Sequence, residues 1–278
     1  MPFGRHHGWR EVGPDVFVRR YRSLDLNVGL VLGDGEALLV DTRSTHPEAA
    51  ELLRDLREVT DLRPSKVVNT HAHFDHSFGN AVFQPCELWA HEGCAAELRL
   101  HGEEQRRNAA GWLRGDAARD VETVEIVPPD HLIRDHRALH VGGRLVELRH
   151  LGRGHTDHDL VVIVSDARVL FAGDLIEESA PPSFADSYPL DWPEAARRIA
   201  SFASGAVVPG HGDVVDRAFV ERQAADLAAI AASARAAHEQ GIPEDAAARL
   251  VPLREPFARD AVARAYAQLD GALRPRRP

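Results

Sequence analysis

The sequence predicts an α/β fold: two mixed β-sheets packed face to face with helices outside, an αββα four-layer sandwich. Three observations lead there. Short apolar runs pair around glycine turns, as hairpins do. Other apolar runs are followed by helical stretches, as in strand–helix units. The same mixture recurs in a second half of the chain. Hairpins supply antiparallel pairs and strand–helix units supply parallel ones, so both sheets are expected to be mixed.

In the first half, residues 16–21 (VFVRRY) and 27–32 (NVGLVL) read as strands. Asp34-Gly35 is a hairpin turn, and residues 36–40 (EALLV) return from it to Asp41. Glu48, Leu52, Leu53 and Leu56 recur at helical spacing over 45–59, with Pro47 near the first turn. Residues 66–70 (KVVNT) form a short, nearly all-apolar run, the pattern of a strand buried on both faces.

In the second half, 139–141 and 144–148 flank Gly142-Gly143, and 160–164 and 168–172 flank the turn 165–167. Residues 192–202 read as a helix and 206–208 as a last strand. From Asp216 the chain is alanine-rich and helical, broken near Gly241 and Pro243 and resumed over 257–269. One domain over 1–278 is expected, with a core over about 10–215 and a helical C-terminal extension over about 216–278.

Composition narrows the function classes. At 278 residues the chain can bury a core without disulfides. No run of eighteen apolar residues exists, so no helical membrane span is expected. The opening MPFGRHH has no apolar core segment, so the expected compartment is the cytoplasm. Two cysteines, Cys86 and Cys94, exclude a disulfide framework and a four-cysteine zinc site, and both read as core residues. A net charge of −10 makes the chain a poor partner for a phosphate backbone, so a small-molecule substrate is expected and nucleic acid is not. The C-terminal helices leave a homodimer open. Lys66 is the single lysine among 33 cationic residues, and it begins a strand about five residues from the first candidate site histidine. Any anionic group on the substrate must therefore meet arginine, a backbone N–H or a metal.

The chemistry is concentrated after residue 70. His71-Ala72-His73-Phe74-Asp75-His76 puts three imidazoles and a carboxylate into six residues. In extended chain His71, His73 and Asp75 would point one way, with His76 turning aside. Three further strand ends deliver the same donor types beside glycine: Gly154-His155-Thr156, Gly173-Asp174 and Pro209-Gly210-His211-Gly212. Such nitrogen and oxygen donors suit zinc, and also iron, manganese or nickel. Seven donors are too many for one four-coordinate ion and suit two.

This order of motifs resembles the metallo-β-lactamase-fold hydrolase superfamily over roughly residues 12–215, and LLVDT at 38–42 resembles its early Asp-Thr strand end. The resemblance implies two Zn²⁺ per chain, with Fe or Mn as alternatives. It assigns His71, His73 and His155 to the first ion and Asp75, His76 and His211 to the second. Asp174 would bridge them together with a water or hydroxide, and Asp75 doubles as the candidate catalytic carboxylate. Aspartate at 174 separates the chain from lactamases that use cysteine there. Asp41 is expected to orient the ligand loop by hydrogen bonds.

Two departures stand out. Arg43 follows Asp41-Thr42 where the family often has glycine, and Asp157-His158-Asp159 replaces the proline that many relatives carry after Gly-His-Thr. Asp159 is expected to fix the turn, His158 to be a hydrogen-bonded surface residue, and His150 to be pocket wall or structural. Candidate substrate contacts are Arg43 and Arg153 for an anion, and Phe184 and Tyr188 from the 177–192 loop for an apolar group. The polar stretch 105–119 is a candidate lid. The implied activity is dinuclear zinc-dependent hydrolysis of a small ester, thioester, lactone or lactam. The alternatives are a mononuclear-iron sulfur dioxygenase and a phosphodiesterase on the same fold.

Overall fold

The structure, a computed structural model, describes residues 8–273. The opening residues on which the compartment reading rests lie outside that range. Among the described residues, twelve strands form two sheets. The first contains β1 (Arg10–Gly13), β2 (Val16–Tyr21), β3 (Leu26–Leu32), β4 (Ala37–Val40), β5 (Lys66–Val68), β6 (Glu87–His91) and β7 (His131–Ile133), in that spatial order. The second contains β8 (His136–Val141), β9 (Arg144–His150), β10 (Leu160–Val164), β11 (Val169–Gly173) and β12 (Ala206–Pro209), ordered 12-11-10-9-8. Both are mixed. Strands β1 to β4 run antiparallel and β4 to β7 parallel. Strands β8 to β11 run antiparallel, and β12 joins β11 in parallel.

Strand alternation explains the four layers. On β4, Leu38 and Val40 face the second sheet, while Ala37 and Leu39 face the helix α1 (His46–Asp55). On β10, Leu160, Val162 and Val164 join that same central layer with Phe171 and Val208. Val161 and Ile163 point the opposite way, onto α6 (Trp192–Phe202) and α7 (Arg217–Glu239). The inner strands of each sheet therefore bury both faces, which is why they read as continuous apolar runs, while β8 leaves its outer face exposed.

The C-terminal helices α7, α8 (Glu244–Ala247) and α9 (Phe257–Leu269) enclose a separate apolar cluster around Ala234, Ala247, Val262 and Tyr266. The candidate lid 105–119 is mostly helical, with 113–115 joining two helices. It forms the end of α4 (Glu92–Trp112) and the start of α5 (Asp116–Glu122). Both cysteines pack in apolar surroundings, Cys94 buried and Cys86 half-buried. Among the described residues, no helix is long and apolar enough to cross a membrane.

The strand ends place the site. β4 leads to Asp41, β5 to His71, β9 to His155, β11 to Asp174 and β12 to His211. All five lie along one edge of the sandwich, where irregular backbone can turn side chains toward a common point.

Candidate metal centre

The segment after β5 is not extended throughout. β5 stops at Val68, and α2 (Phe74–Ser77) begins with His73 as its N-cap. His73 O accepts from both His76 N and Ser77 N, at 3.0 and 3.1 Å. Asp75 and His76 therefore leave successive positions of a helical turn and diverge from His71 and His73. The expectation that His71, His73 and Asp75 share one side gives way to a two-way split: His71, His73, His155 and Asp174 form one group and Asp75, His76 and His211 another.

Within each group the donor atoms lie within 4.8 Å of one another. His73 Nδ1 faces His71 Nε2 at 3.0 Å and His155 Nε2 at 2.9 Å. His76 Nε2 faces His211 Nε2 at 3.3 Å, and Asp75 Oδ2 lies 3.6 and 3.5 Å from those two nitrogens. Asp174 stands between the groups. Its Oδ2 lies 3.7 Å from His71, 3.6 Å from His155 and 3.3 Å from His211, and its Oδ1 lies 3.3 Å from His76. A side chain at Gly210 would collide with Asp174 Oδ1, so glycine there lets the end of β12 close on the carboxylate.

This donor set fits a bound cation. Tetrahedral zinc with bonds of about 2.0–2.1 Å separates its nitrogen ligands by about 3.3 Å, close to the spacings above. Asp174 Oδ1 and His155 Nδ1 are buried without a hydrogen-bond partner, a costly arrangement unless something else engages the cluster.

The nitrogens that face away are held. Asp41 is buried and accepts from Thr70 N at 2.8 Å and Thr70 Oγ1 at 2.9 Å, while its Oδ2 lies 2.8 Å from His76 Nδ1. Thr70 Oγ1 in turn lies 3.1 Å from His71 Nδ1. His73 Nε2 meets Asp186 Oδ2 at 3.0 Å, and His211 Nδ1 donates to Leu24 O at 2.8 Å. Such partners fix tautomer and ring direction and raise ligand basicity.

Charge is balanced locally. Burial pulls His71 well below the ordinary histidine range. Burial also opposes protonation of His73 and His211, but Asp186 beside the first and Asp174 beside the second push each up to about 9. Burial would raise Asp174, yet His76, His211 and His71 together hold it well below the carboxylate range. Where ions bind, they replace the protons in this balance.

Asp186 and Glu177 went unread in the sequence. Glu177 is buried, accepts from Ser183 N at 3.0 Å and lies 3.8 Å from His155 Nδ1. Burial and then Asp174 push its carboxyl up to about 8. Their only sequence mark is a place in the loop just after Asp174.

The candidate substrate contacts each have partners within the fold. Arg43 is buried with its guanidinium 3.6 Å from the Tyr21 ring centroid, and it pairs with Glu48 at 3.3 Å and Glu51 at 2.6 Å. Arg153 pairs with Asp191 at 2.6 Å and lies over Tyr188. Phe184 is buried against Trp192, with ring centroids 5.3 Å apart. Tyr188 is buried, and its hydroxyl donates to Asp157 at 3.1 Å. Asp159 accepts from Thr156 N and Oγ1, as a turn-fixing residue does. His158 is buried rather than on the surface, bonded to Asp157 and Ala72 N. His150 donates to Asp159 O and stacks near His91, outside the cluster.

A two-sheet sandwich carrying a histidine–carboxylate cluster on one edge defines a class of metal-dependent hydrolases. The family model of the metallo-β-lactamase superfamily matches residues 24–211, and the chain belongs to that superfamily. Over 195 residues it is 26% identical to the metallo-β-lactamase type 2 of Bacillus cereus, covering 68% of each chain. Over 174 residues it is 29% identical to an acyl-coenzyme A thioesterase of Bos taurus, covering 55% of this chain and 59% of that one. A solved metallo-β-lactamase from Pontibacter korlensis has a TM-score of 0.65 at 20% identity, covering 79% of this chain and 98% of that one. A sec-alkylsulfatase from Pseudomonas sp. has a TM-score of 0.74 at 16% identity, covering 94% and 50%. These two structures speak to the fold alone.

Proposed function

We propose that the chain is a dinuclear zinc-dependent hydrolase of a small ester or thioester, with lactones and lactams as the neighbouring substrate classes. The observation that carries this reading is Asp174, whose two oxygens face nitrogen donors of both groups. Two divalent ions held there would acidify a shared water and polarise the acyl oxygen.

The chain's own residues orient and exclude. Asp41, Thr70, Asp186 and the Leu24 carbonyl fix the imidazoles. Burial of His71, His76, His155 and Asp174 keeps bulk water from competing for their donor atoms. Arg43 is buried and ion-paired away from the cluster, and Arg153 is paired with Asp191, so no unengaged arginine of the two candidates faces the reacting carbonyl. That favours a substrate whose acyl portion is neutral. Relatives include a lactamase and a thioesterase. The aspartate at 174, in place of the cysteine of some lactamases, supports reading esters and thioesters ahead of lactams.

The test is a panel of chromogenic esters, thioesters, lactones, lactams and phosphodiesters on full-length protein of known metal content. Acyl hydrolysis that is lost on chelation and restored by zinc is the expected result. Turnover confined to phosphodiesters, or restoration by iron alone, would overturn the proposal.

A further inference from the structure

We propose that Arg264, on the C-terminal helix α9, is a positioning residue for the metal centre: it clamps the turn at 186–188 so that Asp186 holds His73 in its ligating orientation. This rests on reading His71, His73 and His155 as an ion-binding group. Arg264 lies beyond the 24–211 segment that the family match covers, so the extension reaches into the site.

The contacts form a short chain. Arg264 Nη2 donates to Asp186 O at 2.5 Å and Nε donates to Ser187 O at 2.8 Å. A planar guanidinium presents its donors in a rigid fork, which here spans two consecutive carbonyls. Asp186 Oδ2 then meets His73 Nε2 at 3.0 Å. The Asp186 side chain is 40% exposed, so water competes for it and turn geometry must keep it on the ring. The next residue along the turn serves the other arm of the site, since Tyr188 N donates to Gly154 O at 2.8 Å, directly before His155. One helical turn further, Gln268 ties the same loop twice, donating to Asp191 Oδ2 at 3.1 Å and accepting from Leu190 N at 3.0 Å. The helix itself is anchored through Ala258, Val262, Ala265 and Tyr266.

Removing a partner that orients a ligand costs about 10–100-fold in metal affinity. The experiment measures zinc binding to full-length apo-protein by competition with a chromophoric chelator. It compares the wild type with Arg264→Ala, Asp186→Asn and the double variant, and takes circular dichroism and melting of each apo form. Arg264→Ala and Asp186→Asn should each weaken the first zinc about 10-fold or more. The double variant should be no weaker than Asp186→Asn alone, because the arginine acts through the aspartate. Unchanged affinity in a folded Arg264→Ala, or effects that multiply in the double variant, would overturn the clamp. If Arg264→Ala does not fold, Arg264→Gln, which keeps one donor, is read by the same criteria. Wild-type protein that binds no zinc would instead sink the ion-binding reading, so the two failures are distinguishable.

Discussion

Arg43 shows how a site segment is held from behind. Its φ is 71°, a left-handed conformation that costs a non-glycine residue about 1 kcal/mol or more, and it stands where the superfamily often has glycine. The strain is offset by a buried guanidinium stacked on Tyr21 and paired with Glu48 and Glu51. Arg43→Gly relaxes the backbone but forfeits those contacts, so we expect a net loss of about 2 kcal/mol. Urea unfolding checks this, with KM unchanged. A raised KM at unaltered stability would return Arg43 to the substrate. The residues of the two donor groups are marked in the sequence in two ways: 71–76 packs three imidazoles and a carboxylate into six residues, and His155, Asp174 and His211 each stand beside glycine. Asp186 could not be read there, because its partner His73 lies 113 residues away and only the folded chain joins them.

At the scale of elements, the His71–His76 segment shows where pattern reasoning fails. Period-two alternation needs a strand, and an unpaired segment closing into α2 does not keep it. Residues 87–133 were harder still. The long helix α4 is amphipathic only weakly in sequence, and its start depends on an unusual cap: His91 Nδ1 accepts from Gly93 N at 3.0 Å. A protonated ring could not accept, and it would place positive charge at a helix N-terminus. Burial, then His150 and His158, lower His91 to about 4. The sign follows from proton binding. Below pH about 6.5 the unfolded chain takes a proton that folded His91 refuses, so stability falls as pH drops toward 4. His91→Asn, which keeps a cap acceptor, should flatten the pH 6.5 to 4 decline by about 2–3 kcal/mol. Denaturation midpoints of the two proteins across that window test it. Parallel curves would show that His91 protonates freely in the native state.

For the whole molecule, the layered fold was legible because the inner strands of both sheets bury two faces and so write apolar runs into the chain. The central layer joins Val40, Val68, Leu148 and Phe171 from different sheets. No local pattern shows that pairing, only the need to bury each strand. The packing of the C-terminal helices was also out of reach, since alanine-rich sequence gives little indication of which face meets which partner. This architecture brings two donor groups together around Asp174. The most direct measurement is metal content by mass spectrometry after zinc reconstitution and desalting, for the wild type and Asp174→Ala side by side. Wild-type protein should hold about two zinc ions per chain and a folded Asp174→Ala about one with most turnover lost, because two cations at short range repel without the shared carboxylate. Equal zinc content and equal activity in the two proteins would contradict a shared carboxylate at Asp174.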